Sequence, residues 1–138
     1  MIVQFNPYLT FNGNCREAMT FYKDCLGGTL HFQTIGDSPM ADEIPFKFRD
    51  YILHATLTKN KWVLMGSDIV AESGRVVGNS VSLMVHCSSE EEIRTCYQKM
   101  SDACQCSHPL ESTFWGALFG GLTDKFGNQW LFNCELNK

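Results

Sequence analysis

TFWGALFG at Thr113–Gly120 leads after two residues into TDKFGNQW at Thr123–Trp130, close to the end of a chain of 138 residues. Apolar and small residues flank Asp124–Asn128, in which an aspartate, a glycine and an asparagine are typical of a turn. We therefore predict strands at 113–123 and 129–135, joined by this turn. The rest of the pattern can be followed outward from this hairpin.

The sequence before this hairpin has the pattern of a strand, a helix and a further strand. Residues 80–87 alternate apolar and polar side chains, as a half-buried strand does. Ser89 and Glu92 have the spacing of a capping box, which marks the start of a helix. The apolar stripe of that helix is formed by Ile93, Cys96, Tyr97 and Met100. With a short strand near 105–108, the second half reads as strand, helix and three strands.

The first half of the chain repeats this order, with Asn14 and Glu17 as the start of its helix. The predicted elements are a strand at 5–12, a helix at 15–26, and strands at 29–35, 51–58 and 62–67. A shift of 75 residues places Asn14 on Ser89, so we infer a duplicated unit of about 65 residues. The prediction is an α+β fold with two tandem βαβββ modules in one domain, 1–138. Module one covers about 1–70 and module two about 79–136.

Residues 36–50 form a long polar stretch between two predicted strands and contain Pro39 and Pro45. Connections of this length are uncommon in compact domains and are often functional. The segment is a candidate lid or a partner-facing segment, and the sequence leaves both alternatives open.

The composition excludes several classes of function. Apolar residues make up 44% and charged residues 19%, and the net charge is −4, which gives no basic surface for nucleic acid or anionic lipid. No export signal and no stretch long enough to span a membrane is recognisable. The seven cysteines are odd in number and contain no CxxC pair, so we expect reduced thiols and a cytoplasmic location.

Local strings of the chain form a specific combination. They are YLTFNG at Tyr8–Gly13, CREAM at Cys15–Met19, FY at Phe21–Tyr22, LHA at Leu53–Ala55, LMGSD at Leu64–Asp68, and the TFWG and TDKFGNQW strings of the hairpin. Together they resemble the PhnB-like branch of the vicinal oxygen chelate superfamily, which includes glyoxalase I, the bleomycin-resistance proteins and the extradiol dioxygenases. The resemblance implies a curled mixed sheet around a small-molecule cavity, and a homodimer with paired modules.

The metal ligands of that superfamily do not transfer to this sequence. The resemblance places the first-strand ligands near Pro7 or Tyr8 and near Ser80–Ser82, and the last-strand ligands near Met65 or Ser67 and at Leu131. These residues are not convincing ligands for a divalent ion. We therefore predict no metal site and no cofactor, with a divalent metal as the alternative. Members of the branch are often labelled 3-demethylubiquinone 3-methyltransferase, but no strand followed by a GxG turn would hold an adenosyl cofactor here.

Histidine and cysteine residues supply the candidates for chemistry. His54 lies within the strand pattern LHATL, so it shares a face with Thr56, opposite Leu53, Ala55 and Leu57. It is either a ligand-binding or acid/base imidazole or a hydrogen-bonded residue of the sheet. His86 is a weaker candidate of the same kind. Cys104, Cys106 and His108 alternate along the chain and are either a soft-metal cluster or ordinary strand residues.

The aromatic residues of the second half indicate a role in binding a small molecule. Trp115 and Phe119 lie next to glycines that allow close approach of a ligand. The other predicted ligand-binding residues are Met65, Ser67, Asp68 and Ser82. For Asp68 the alternative is a turn residue at the end of a strand.

These observations predict a metal-independent protein that binds a small organic molecule in an apolar-aromatic pocket. One alternative is a lyase or isomerase, either dependent on a divalent metal or metal-free with His54 as the acid/base. Another is a vestigial pocket in a protein that acts through association. A small organic ligand and a second copy of the chain are the expected partners.

Overall fold

The computed structural model describes residues 1–70 and 73–136. The chain divides into two compact units, Met1–Val76 and Val77–Lys138. Each unit has the order strand, helix and three strands, so the predicted α+β class and the two βαβββ modules are confirmed. In the part of the chain that the structure describes, no helix is long and apolar enough to cross a membrane.

The first unit contains a four-stranded mixed sheet, a helix and a short 3-10 turn. Its elements are β1 (Tyr8–Thr10), α1 (Cys15–Leu26), β2 (Thr29–Thr34), the 3-10 turn (Phe46–Phe48), β3 (Ile52–Lys59) and β4 (Trp62–Ser67). The strand order is β1-β4-β3-β2. β1 runs parallel to β4, and the remaining neighbours are antiparallel. The sheet brings β1 and β4 together although more than 50 residues separate them in sequence.

Helix α1 packs on one face of this sheet because its apolar residues recur at helical spacing. Its buried residues are Cys15, Ala18, Met19, Tyr22 and Cys25. Gly66 of β4 allows the close approach, since a Cβ there would lie 3.1 Å from Met19 Sδ and 3.3 Å from Cys15 Sγ. The sheet face that carries Gly66 and its partner Ala55 is therefore the face covered by α1.

The second unit has the same architecture. Its elements are β5 (Leu83–His86), α2 (Glu90–Met100), β6 (Cys106–Ser112), β7 (Ala117–Thr123) and β8 (Gln129–Glu135). The order of the strands is β5-β8-β7-β6, with β5 parallel to β8. The Ser89 cap is confirmed, because its hydroxyl accepts the backbone N–H of Glu92 at 3.1 Å. Tyr97 of α2 packs edge-on against Phe132 of β8 at 5.5 Å, which identifies the face that α2 covers.

Several predicted boundaries were wrong. TFWG does not continue a strand: Phe114–Gly116 form the turn between β6 and β7, closed by the hydrogen bond from the Thr113 hydroxyl to Ala117 O at 3.1 Å. The first strand of each unit is shorter than predicted, since β1 has 3 residues and β5 has 4. β6 extends further, to Ser112. Asn14 makes no side-chain cap hydrogen bond, although α1 begins where predicted.

Candidate functional site

Each sheet leaves one face uncovered by its own helix. Strand alternation places Tyr8, Met65, Thr56 and His31 in one row across the first sheet, on the face opposite Ala55 and Gly66. The equivalent row of the second sheet contains Met84, Leu131, Gly121 and His108. We call these the open faces of the two units, and each is described on its own.

Tyr8, His54 and Thr56 form a hydrogen-bonded group on the first open face. The Tyr8 hydroxyl lies 3.2 Å from His54 Nδ1, and Thr56 Oγ1 lies 3.0 Å from His54 Nε2. The rings of Tyr8 and His54 are 5.7 Å apart. As predicted from alternation, His54 and Thr56 share a face, while Ala55 and Leu57 are buried on the other. We call these three residues the Tyr–His–Thr group.

Both ring nitrogens of His54 are occupied, which restricts its chemistry. In a neutral imidazole one nitrogen donates and the other accepts. If Nε2 carries the proton, it donates to Thr56 and Tyr8 donates to Nδ1. If Nδ1 carries the proton, it donates to Tyr8, whose own hydroxyl is then directed to a third group. His54 can therefore exchange a proton with a ligand only through one of the two hydroxyls.

The other predicted residues of the first unit have different surroundings. Met65 lies between Tyr8 and Thr56 in the row of the open face and is half-buried. Ser67 is 2% exposed, and its hydroxyl accepts the backbone N–H of Ile69 at 2.9 Å. Met65 is thus placed to contact a ligand, whereas the Ser67 hydroxyl is used within the chain.

Asp68 is buried and faces backbone N–H groups. One oxygen accepts from Gly13 at 2.8 Å and from Cys15 at 2.9 Å, and the other accepts from Ile52 at 2.8 Å. The carboxylate therefore joins the start of α1 to the start of β3. This arrangement corresponds to the structural alternative considered for Asp68.

Part of the open face of the second unit is apolar, beside the polar side chains of His86, His108 and Asn133. Phe119 of β7 lies on it opposite Asn133 of β8. Leu131 of β8 pairs with Met84 of β5, and Met84 is 44% exposed. The Trp115 ring meets the Phe119 ring edge-on at 6.5 Å and is 59% exposed. Gly116, with φ of +85°, gives the turn that presents Trp115. We call Met84, Trp115, Phe119 and Leu131 the apolar face.

Two further predicted residues lie in the second unit. Ser82 is exposed and immediately precedes β5. His86 is also exposed, and its Nδ1 lies 3.3 Å from Asn133 Nδ2 on the neighbouring strand. The sequence did not single out Asn133, just as it did not single out Tyr8 or Thr56 as partners of His54. In each case the partner lies on the same face. Alternation within β3 was the available signal for Thr56, whereas Tyr8 and Asn133 depend on the register between strands.

The residues at the expected metal positions do not fit a divalent ion. Strand register pairs Tyr8 with Met65 and Met84 with Leu131, so phenol, thioether and alkyl groups stand where oxygen and nitrogen donors would be needed. Among residues 1–70 and 73–136, no group of 3 or more His, Cys, Asp and Glu side chains could hold a metal ion. The structure does not bring Cys104, Cys106 and His108 together as such a group.

Buried thiols are held in their neutral form. Burial, with the nearby Asp68 carboxylate as the second cause, raises the pKa of Cys15 to about 12. A hydrogen bond with the Cys96 thiol, followed by burial, raises the pKa of Cys87 above its ordinary value. Because the thiolate is the reactive form, neither residue is suited to nucleophilic catalysis.

Comparison with known proteins gives consistent results. The family model of the Glyoxalase/Bleomycin resistance protein/Dioxygenase superfamily matches residues 4–132. Protein YjdN of Escherichia coli (strain K12) is 30% identical over 141 residues, covering 93% of this chain and 92% of that protein. The structure of protein PA1353 from Pseudomonas aeruginosa has a TM-score of 0.85 at 38% identity and covers 97% of this chain and 98% of that one. For the PhnB protein from Bacillus cereus the TM-score is 0.72 at 28% identity, with 95% and 98% covered.

Proposed function

Because this chain belongs to the Glyoxalase/Bleomycin resistance protein/Dioxygenase superfamily, in its PhnB-like branch, we propose that it binds a small organic molecule without a metal ion. In the second unit, the apolar face is the proposed binding surface for an apolar ligand group. In the first unit, considered on its own, the Tyr–His–Thr group and Met65 are the proposed ligand contacts. Ser82, at the edge of the second open face, is a further proposed contact, whereas Ser67 and Asp68 are left out because their polar groups bind backbone.

The single observation that carries this proposal is the exposure of the apolar face. Trp115 and Met84 are 59% and 44% exposed on the side of the sheet that α2 leaves uncovered. The Trp115 ring contacts Phe119, and Met84 pairs with Leu131. Aromatic side chains offer a large contact surface to a small ligand, and a thioether side chain adapts its packing to the ligand. Binding by burial of apolar surface needs no metal, in agreement with the unsuitable donors at the expected metal positions.

Binding of the neutral fluorescent probe N-phenyl-1-naphthylamine to EDTA-treated protein tests the proposal. We expect wild type to bind, and Phe119→Ala and Trp115→Ala each to weaken binding by roughly tenfold. Phe46→Ala is the matched control, since Phe46 is an exposed aromatic residue in the 3-10 turn of the first unit. Binding that requires added Mn²⁺, Ni²⁺ or Zn²⁺, or that ignores both substitutions, would contradict the proposal. Native mass spectrometry would identify a retained natural ligand.

We also propose that the chain forms a homodimer, as the resemblance implies. Light scattering during size-exclusion chromatography measures the molar mass directly. A mass of about twice 15.6 kDa is expected, and a mass of 15.6 kDa at micromolar concentration would exclude a stable dimer.

A second candidate function is a metal-free lyase or isomerase. The specific observation in its favour is the double hydrogen bonding of His54, which fixes the imidazole ring as acid/base histidines are fixed. Proton transfer to a substrate would then pass through the Tyr8 hydroxyl, because neither ring nitrogen is free. This function would be favoured over binding alone if the protein turned over a retained ligand after EDTA treatment and His54→Gln abolished that turnover. An unchanged ligand after prolonged incubation would exclude it.

A further inference from the structure

We infer that the first open face binds an oxyanion of the ligand, such as a carboxylate, through the Tyr8 hydroxyl, with His54 as the positioning residue behind it. This inference rests on the proposed binding function and specifies the chemical class of the ligand group that the first unit takes. It also assigns the ligand contact to Tyr8 rather than to His54.

The hydrogen bonds of the Tyr–His–Thr group give the reason. When His54 is protonated, both ring nitrogens donate, one to Tyr8 and one to Thr56. Neither hydroxyl can then donate to the ring, so each must donate its own hydrogen elsewhere. A positive charge one hydrogen bond behind the hydroxyl makes it a stronger donor, and charge-assisted hydrogen bonds favour anionic acceptors.

Exposure selects Tyr8 over Thr56 as the contact. The two hydroxyls lie beyond opposite nitrogens of one ring, so one small anion cannot span both. Tyr8 is 51% exposed and stands on β1, an edge of the first sheet. Thr56 is half-buried within the central strand β3. Tyr8 is therefore the hydroxyl that a ligand can reach.

The charges around His54 also favour an anion. None of the described strands of the first sheet contains Asp or Glu. The titratable groups that face His54 are Tyr8 on β1 and His31 on β2, while β4 presents Val63, Met65 and Ser67 on that face. Arg75 adds a positive charge at β1, where its guanidinium donates to Thr10 O. The nearby Asp68 carboxylate binds backbone N–H groups instead.

Two probes of similar shape but different charge test whether the first open face prefers an anion. Benzoate is ionised at pH 6 and pH 8, because carboxylic acids titrate near pH 4, and benzamide is neutral. We expect benzoate to bind roughly tenfold more tightly than benzamide at pH 6 and to lose most of this preference at pH 8, because only a charged imidazole donates from both ring nitrogens. Isothermal titration calorimetry measures each dissociation constant.

Substitutions test which residues cause the preference for benzoate and its pH dependence. Tyr8→Phe should abolish the preference for benzoate at both pH values. His54→Gln, which retains hydrogen bonding without a titratable charge, should make benzoate binding independent of pH. His108→Gln, at an exposed histidine of the second unit, is the matched control and should retain the wild-type pH profile. Equal melting temperatures would show that the variants are folded.

The outcomes distinguish this inference from the proposed function. Equal affinities for benzoate and benzamide, or a preference that survives Tyr8→Phe, would overturn the inference while probe binding at the apolar face leaves the proposed function intact. A pH profile that disappears in His31→Gln but persists in His54→Gln would overturn the assignment to His54. Absence of binding by benzoate, benzamide and N-phenyl-1-naphthylamine would reject both.

Discussion

The carboxylate of Asp68 accepts the backbone N–H of Cys15 at 2.9 Å, so the residue that follows β4 stabilises the start of α1. The first N–H groups of a helix have no partner within the helix. Asn14 stands at the position where a capping side chain is usual, yet it makes no cap hydrogen bond. The cap is instead supplied from 53 residues further along the chain.

Substitution of Asp68 by Asn should destabilise the first unit. The amide would turn an NH₂ group toward backbone N–H donors that now share the carboxylate of this 4%-exposed residue. Leaving buried donors without an acceptor costs about 1–3 kcal/mol, and more where a charge is involved. We expect urea denaturation to show a loss of this size. Asp42→Asn, at an exposed loop position, should change the free energy of unfolding by less than about 0.5 kcal/mol.

Comparable losses in the two variants would contradict the role given to Asp68. They would mean that the hydrogen bonds to Gly13, Cys15 and Ile52 are replaced by water at little cost.

The TDKFGNQW string is explained by a second buried carboxylate. Asp124 accepts the indole N–H of Trp130 at 2.7 Å and the backbone N–H groups of Phe126 and Asn128. Trp130→Phe should lower the free energy of unfolding by about 1.5–3 kcal/mol, because it removes a hydrogen bond to a charged group. Trp62→Phe is the control, since Trp62 is 38% exposed at the start of β4. Equal effects of the two substitutions in urea denaturation would argue against the Asp124 hydrogen bond as the reason for Trp130.

Gly120 permits close contact between two strands of the second sheet. A Cβ at this position would lie 2.9 Å from the backbone oxygen of His108 and 3.0 Å from Leu110 Cα. Backbone cannot move as a flexible side chain does, so Gly120→Ala should cost about 1–3 kcal/mol. Thr123→Ala, at the end of the same strand, should have a smaller effect on the melting temperature. A Gly120→Ala protein as stable as wild type would show that β6 adapts freely.

The sequence predicted most elements because each is encoded locally. The helix predicted at 15–26 and the strand predicted at 62–67 lie where the sequence placed them. The errors arose where distant residues decide. Only the folded chain brings Asp68 to α1, and only the hydrogen bonding of Thr113 with Ala117 shows that TFWG is a turn.

The candidate site was predictable to a similar degree. Alternation within β3 correctly placed His54 and Thr56 on one face, since that requires only the period of a strand. Tyr8 was not recognised as a partner of His54, because its position depends on the register between β1 and β4. Register also explains why Trp62 and Trp130 differ in burial. Trp130 is buried and pairs with Leu122, whereas Trp62 pairs with Lys59 at the end of its hairpin.

Cys15 should make stability depend on pH in the alkaline range. Burial raises its pKa in the folded protein to about 12, whereas an unfolded cysteine titrates near 8.5. Above that lower value the unfolded chain releases a proton that the folded protein retains. The contribution is therefore complete below about pH 8.5 and is lost progressively as the pH rises toward 12.

Comparison of wild type with Cys15→Ala isolates this contribution from other alkaline titrations. We expect the free energy of unfolding of wild type to fall more steeply between pH 8 and pH 10.5 than that of Cys15→Ala, measured by urea denaturation under reducing conditions. Cys106→Ala is the matched control, because Cys106 is exposed in the folded protein and its removal should leave the wild-type slope unchanged. Parallel curves for wild type and Cys15→Ala would show that the Cys15 thiol ionises alike in the folded and unfolded chain, in conflict with its burial next to Gly66 of β4.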